Sequence, residues 1–217
     1  MSSEEEFLRE WKGIERDMYG REDVRGPVLQ INLGKYTVGL IILNVIIFAI
    51  ISLYPSLIEL LAMSRVFMFE PWRWFSSMFV HFGLTHLLFN MLSLFLFGNI
   101  LEKKFGPKMF LIAYLGSGLL GNIGFLLFSQ PTTFGAGASG AIFGIIGAAT
   151  LMFPNLILWI NFIPLPLKIA GPLMALGEFI LMLGLPDGIA HSAHLFGFIF
   201  GIAITLYIKF KKSKTWV

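Results

Sequence analysis

Apolar residues run along this chain in long, nearly unbroken stretches, with polar residues gathered between them. Six such stretches stand out, at 36–54, 79–100, 109–128, 139–153, 169–185 and 189–210. Most approach the ~20 residues that a helix needs to cross a hydrocarbon core. The start of the chain departs from this pattern. Between residues 4 and 18, Phe7, Trp11, Ile14 and Met18 recur three or four places apart among charges, the pattern of a short amphipathic helix on a membrane surface, with a disordered acidic tail as the plainer alternative, since so short a helix is marginal in water.

The fourth stretch is the odd one, because residues 139–153 before the Pro154 break make a helix of only about 22 Å, against a hydrocarbon core of about 30 Å. If its inner end reaches the cytoplasmic surface, Ser139 begins below the outer one and the loop 130–138 dips in after it. Irregular backbone at that depth is tolerated only when buried in protein or lining a water-filled cavity. Helix length therefore predicts a submerged, wet pocket at Ser139. The apolar run 155–163 reads as an interfacial connection, since Pro154, Pro164 and Pro166 argue against one continuous helix.

Composition agrees with a membrane protein: 56% of the 217 residues are hydrophobic and 13% charged, with a mean hydropathy of +0.79 that excludes an ordinary soluble domain. With no cysteine there is no disulfide framework and no thiolate metal site. Acids and bases alternate over residues 1–25 without an apolar core, which argues against a signal peptide. A net charge of +3 points to no nucleic-acid partner, but its distribution sets an orientation. With both termini in the cytoplasm, all 16 Lys and Arg except Arg65 and Arg73 fall on the inner side. Those two sit in the first outer loop, 55–78, with Glu59, Glu70 and the interfacial aromatics Trp72, Trp74 and Phe75. The expectation is an all-α, multi-pass protein of the cell membrane: a cytoplasmic segment 1–34, a six-helix bundle over 35–210 with a short, submerged fourth helix, and a basic tail 211–217.

Glycines and buried polar residues carry the remaining signal. Gly140 and Gly144 on the fourth helix, and Gly197 and Gly201 on the sixth, are small residues four apart, the spacing that lets membrane helices touch closely, so these two helices are expected to pack together. Polar side chains inside a membrane are costly and mark functional places. His86, Asn90 and Ser93 share one face of the second helix, whereas His81 points elsewhere. His194 precedes the glycine face of the sixth helix, which brings it toward Ser139 in the run Gly135 to Gly144. A serine and a histidine at hydrogen-bond distance are the minimum for an activated nucleophile. Each residue alone has a plainer reading: Ser139 as a helix N-cap, a membrane Asn or His as an interhelical hydrogen bond, and Glu178 as a protonated or hydrogen-bonded carboxyl. No His-Glu-x-x-His or similar ligand spacing suggests a metal.

In combination these residues form a recognisable order. Glu70-Pro71-Trp72-Arg73, then His81, His86-x-x-x-Asn90, then Gly137-Ala138-Ser139-Gly140, then Ala193-His194-x-x-Gly197-x-x-x-Gly201 closely resembles the rhomboid family of intramembrane serine proteases in its minimal six-helix form. The resemblance implies a Ser139–His194 dyad with no third acid and no cofactor or metal, acting on transmembrane segments of other proteins within the lipid bilayer. It implies that Asn90, His86 and the Ser139 N–H stabilise the oxyanion, and that His81, Trp72, Arg73, Gly137, Gly140, Gly197 and Gly201 support the site. One position departs from the pattern: Phe143 stands where the family commonly has a tyrosine packed on the catalytic histidine, so the ring is kept and its hydroxyl is lost. Asp187 is left outside the catalytic set. Two other readings remain, a catalytically silent rhomboid-like factor that binds or escorts membrane proteins, and a transporter working through Glu178.

Overall fold

The computed structural model describes residues 33–160, 162–184 and 187–214. The amphipathic helix expected over 4–18, most of the 1–34 segment and the end of the basic tail lie outside the described residues. Six main helices follow one another: α1 (Lys35–Leu53), α2 (Leu84–Phe105), α3 (Pro107–Phe128), α4 (Ser139–Met152), α5 (Leu167–Met182) and α6 (His191–Lys214). Of these, α1, α2, α3 and the His191–Lys211 part of α6 are long and apolar enough to cross a membrane, whereas α4 has 14 residues and α5 has 16.

Two expectations need correcting. The second helix begins at Leu84, not at 79, and the preceding residues Ser77–Phe79 form a 3-10 turn. The chain is held there by bonds across the molecule: Gly137 N–H donates to the Ser77 carbonyl, and the Asn122 amide reaches Ser77 Oγ and the Trp74 carbonyl. The turn ends at Val80, whose backbone is extended with ψ 138°, so His81 sits in a buried connection rather than on a helix. The fold is also not all-α. Residues expected as a plain connection form a β-hairpin, β1 (Ile157–Ile160) against β2 (Ile163–Pro166), antiparallel with Ile160 opposite Ile163. Pro164 and Pro166 break a helix but are tolerated in a ribbon that consists only of edges, and Phe162 takes the positive φ of 67° that so tight a turn requires.

The centre of the molecule is α4, buried from Gly140 to Thr150 except at Phe143. It packs on α6 and α3 and touches α2 and α5. This closeness depends on missing side chains: a Cβ at Gly197 would strike the Gly140 carbonyl oxygen, and one at Gly201 the Gly144 carbonyl oxygen. Backbone against backbone is how membrane helices gain contact without a hydrophobic driving force. Around this centre, α1 is anchored by Glu102 of α2, whose carboxylate accepts from the Tyr36 and Thr37 N–H groups and the Thr37 hydroxyl. An acidic side chain at a helix N-terminus satisfies orphan donors and opposes the helix dipole.

Candidate active site

The site begins with the glycine-rich approach to α4. Gly135 forms a two-bond bridge with Met63 of the loop 55–78, and Gly137 adopts φ 132°. At Gly137 a Cβ would lie 2.7 Å from the His86 ring, so backbone angle and available space both demand glycine. Ala138 then occupies the position before the helix with φ −70° and ψ −6°, and Ser139 is the first helical residue. Ser139 is thus not the N-cap that a helix-start serine ordinarily is, and no side chain caps α4. Its hydroxyl points to another helix.

That partner is His194, whose Nε2 lies 2.8 Å from Ser139 Oγ. The two come from α4 and α6, and the glycine seam is what lets the imidazole reach the hydroxyl. Phe143, one turn beyond Ser139, lays its ring parallel to the His194 ring, with centroids 4.3 Å apart and planes 4° apart. Beside Ser139 lies a cavity of about 30 Å³, lined also by Gly137, Asn122, Met78, Ala190 and Ala193, with room for a water molecule.

On the α2 side, His86 lies against Gly137 and also contacts the rings of His81 and Phe82. Asn90 is buried, and the bond made by its amide goes to the His86 carbonyl one turn back on its own helix. His81 is buried with Nδ1 3.4 Å from the Phe79 carbonyl. Trp72 donates to the Leu60 carbonyl, and buried Arg73 binds the Glu70 carboxylate and the Glu59 and Ala62 carbonyls, which together tie down the loop 55–78.

The other flank of His194 holds what the sequence reading missed. Glu178 of α5 approaches two histidines with one carboxylate oxygen, 2.6 Å from His191 Nδ1 and 3.1 Å from His194 Nδ1. The opposite nitrogen of His191 lies 3.0 Å from Asp187. Asp187 is itself held below the ordinary carboxylate range, first by the Ile189 N–H and then by the His191 ring. The donor types of Glu178, His191 and His194, all within 4.8 Å of one another, would suit a metal; the contacts here pair the carboxylate with the rings. The signal for Glu178 was its isolation as the one charge in the apolar stretch 169–185, but its partner could not be read from spacing.

A rhomboid domain matches residues 68–210 of this chain. The chain belongs to the rhomboid family. Among its curated relatives, YdcA of Bacillus subtilis (strain 168) is 36% identical over 149 residues, 68% of this chain and 72% of YdcA. Rhomboid protease GluP of the same organism is 43% identical over 79 residues, 36% of this chain and 15% of GluP. Rhomboid protease GlpG of Yersinia pseudotuberculosis is 30% identical over 146 residues, 67% of this chain and 51% of GlpG. The rhomboid match takes in Trp72, Arg73, His81, His86, Asn90, Ser139 and His194 together.

Proposed function

We propose that this rhomboid is an intramembrane serine endopeptidase that cleaves transmembrane segments of other membrane proteins. The observation that carries the reading is the 2.8 Å approach of His194 Nε2 to Ser139 Oγ at the start of α4, beside a cavity that can hold water. In this reading all six helices lie in the bilayer with both termini cytoplasmic. Helix α4, with its 14 residues, is about 21 Å long, so its start is submerged. Water must reach that depth for hydrolysis, and the cavity supplies its place.

Ser139 Oγ attacks the peptide carbonyl carbon as its proton passes to His194 Nε2, and the carbonyl electron pair moves to oxygen. The oxyanion is met by the Ser139 N–H, one of the first N–H groups of α4 that have no partner within the helix, and by the side chains of His86 and Asn90. The positive end of the α4 dipole favours the same charge. His194 then protonates the departing amine, and water hydrolyses the acyl-enzyme. Because the scissile segment must be extended, substrate helices weakened by Gly or Pro near their outer ends are favoured.

Purified protein and a model transmembrane substrate in detergent test this. Ser139→Ala and His194→Ala abolish cleavage with the fold intact, and a fluorophosphonate probe labels Ser139 in the parent and not in Ser139→Ala. Undiminished cleavage by either variant overturns the proposal.

A further inference from the structure

We infer that Glu178 is a positioning residue for His194, so that this chain works with a third, acidic group delivered by α5 rather than with a serine and a histidine alone. The inference rests on the protease reading and deepens it. For His194 Nε2 to accept the Ser139 proton, the ring's own proton must reside on Nδ1. That atom is buried and makes no hydrogen bond among the described residues. The oxygen nearest to answer it belongs to Glu178, 3.1 Å away, within ion-pair distance though off the line of a good hydrogen bond. A modest rotation of either side chain closes it.

The surroundings keep the carboxylate available. Its 2.6 Å contact with His191 fixes the oxygen, and His191 is held from behind by Asp187 at 3.0 Å. With both carboxyls ionised, His191 donates from both nitrogens and is an imidazolium, so two acids and one cation leave a net negative charge beside His194. That charge favours the cation His194 becomes as Ser139 attacks. In that step the Oγ proton moves to Nε2, the Nδ1–H stays on the ring and points at Glu178, and Glu178 remains ionised throughout. The other flanks offer no substitute: Phe143 from α4 presents an apolar ring, and His86 from α2 is a second imidazole. Glu178 itself is only 13% exposed on a helix whose buried residues are confined to its first turns, Leu167, Ala170 and Gly171. A carboxyl drawn inward from a lipid-facing helix costs desolvation, and its two histidine partners are what compensate.

The test compares Glu178→Gln and Glu178→Asp with the parent, measuring kcat and KM for a model transmembrane substrate, the rate of fluorophosphonate labelling at Ser139, and thermal unfolding in the same detergent. Glu178→Gln keeps size and shape but loses charge. Its kcat and labelling rate fall roughly 10- to 100-fold with KM and the unfolding midpoint unchanged, less than the about 10⁴-fold cost of neutralising the acid of a complete triad, because the contact is off-line. Glu178→Asp recovers part of the loss. Parental kcat in Glu178→Gln overturns the inference, as does a loss that appears only in KM or only with unfolding. If Ser139→Ala and His194→Ala also cleave normally, the protease reading fails; if they are dead while Glu178→Gln matches the parent, only the role of Glu178 fails.

Discussion

A shift of one residue decides what Ser139 can do. At the N-cap its oxygen would accept N–H bonds from its own first turn; as the first helical residue, after Ala138 in an α conformation, it directs the hydroxyl to His194. A sequence cannot separate two positions one residue apart, because a serine before an apolar run reads the same at either. Phe143 was legible more fully, since a residue four after Ser139 shares its helix face. What only the structure adds is that its ring lies flat on the imidazole. Such a stack is worth about 0.5–1.5 kcal/mol. Phe143→Ala therefore lowers kcat roughly 3- to 10-fold while KM stays within about twofold, measured on the same membrane substrate, and Phe143→Tyr keeps near-parental rates. Glu178 was visible as an isolated buried charge, yet nothing in its spacing named His191 or His194, because its partners lie on a different helix.

At the scale of elements, the contact between α4 and α6 follows from small residues four apart, and the structure places Gly197 on the Gly140 carbonyl and Gly201 on the Gly144 carbonyl. Backbone atoms cannot move aside as a flexible side chain can. Gly201→Val therefore destabilises by about 3 kcal/mol, at the upper end of overpacking, and separates Ser139 from His194; thermal unfolding and fluorophosphonate labelling should fail together. Gly177 in α5 is the internal control, since a Cβ there meets nothing within 4 Å. Gly177→Ala is neutral or raises stability by up to about 1 kcal/mol through helix propensity, read from the same melts. The hairpin Ile157–Pro166 escaped the periodicity argument: eight apolar paired residues show the same hydropathy whether they form a strand pair or an extended connection, and the choice lies in hydrogen bonds between residues that pattern does not pair.

For the molecule as a whole, the loop 55–78 is a cap held by buried bonds. Arg73 is 3% exposed and joins Glu70, Glu59 and Ala62, while Met63–Gly135 and Ser77–Gly137 fasten that loop to the approach to Ser139. Arg73→Ala leaves two carbonyls and a carboxylate without their donor, a loss of about 2–3 kcal/mol. The unfolding midpoint should drop, and cleavage with it, whereas Arg73→Lys restores only part, having no planar fork. Sequence by itself determined the class of protein, the number of apolar stretches, the helix pair joined by glycines and the approach of His194 to Ser139, because hydropathy and residue spacing are properties of the chain. Tertiary structure alone decided the Ser139 rotation out of its own helix, the late start of α2, the hairpin, and the meeting of Glu178 with two histidines. Each of these depends on an atom supplied from elsewhere in the chain, and a linear pattern holds no distance between residues that only folding brings together.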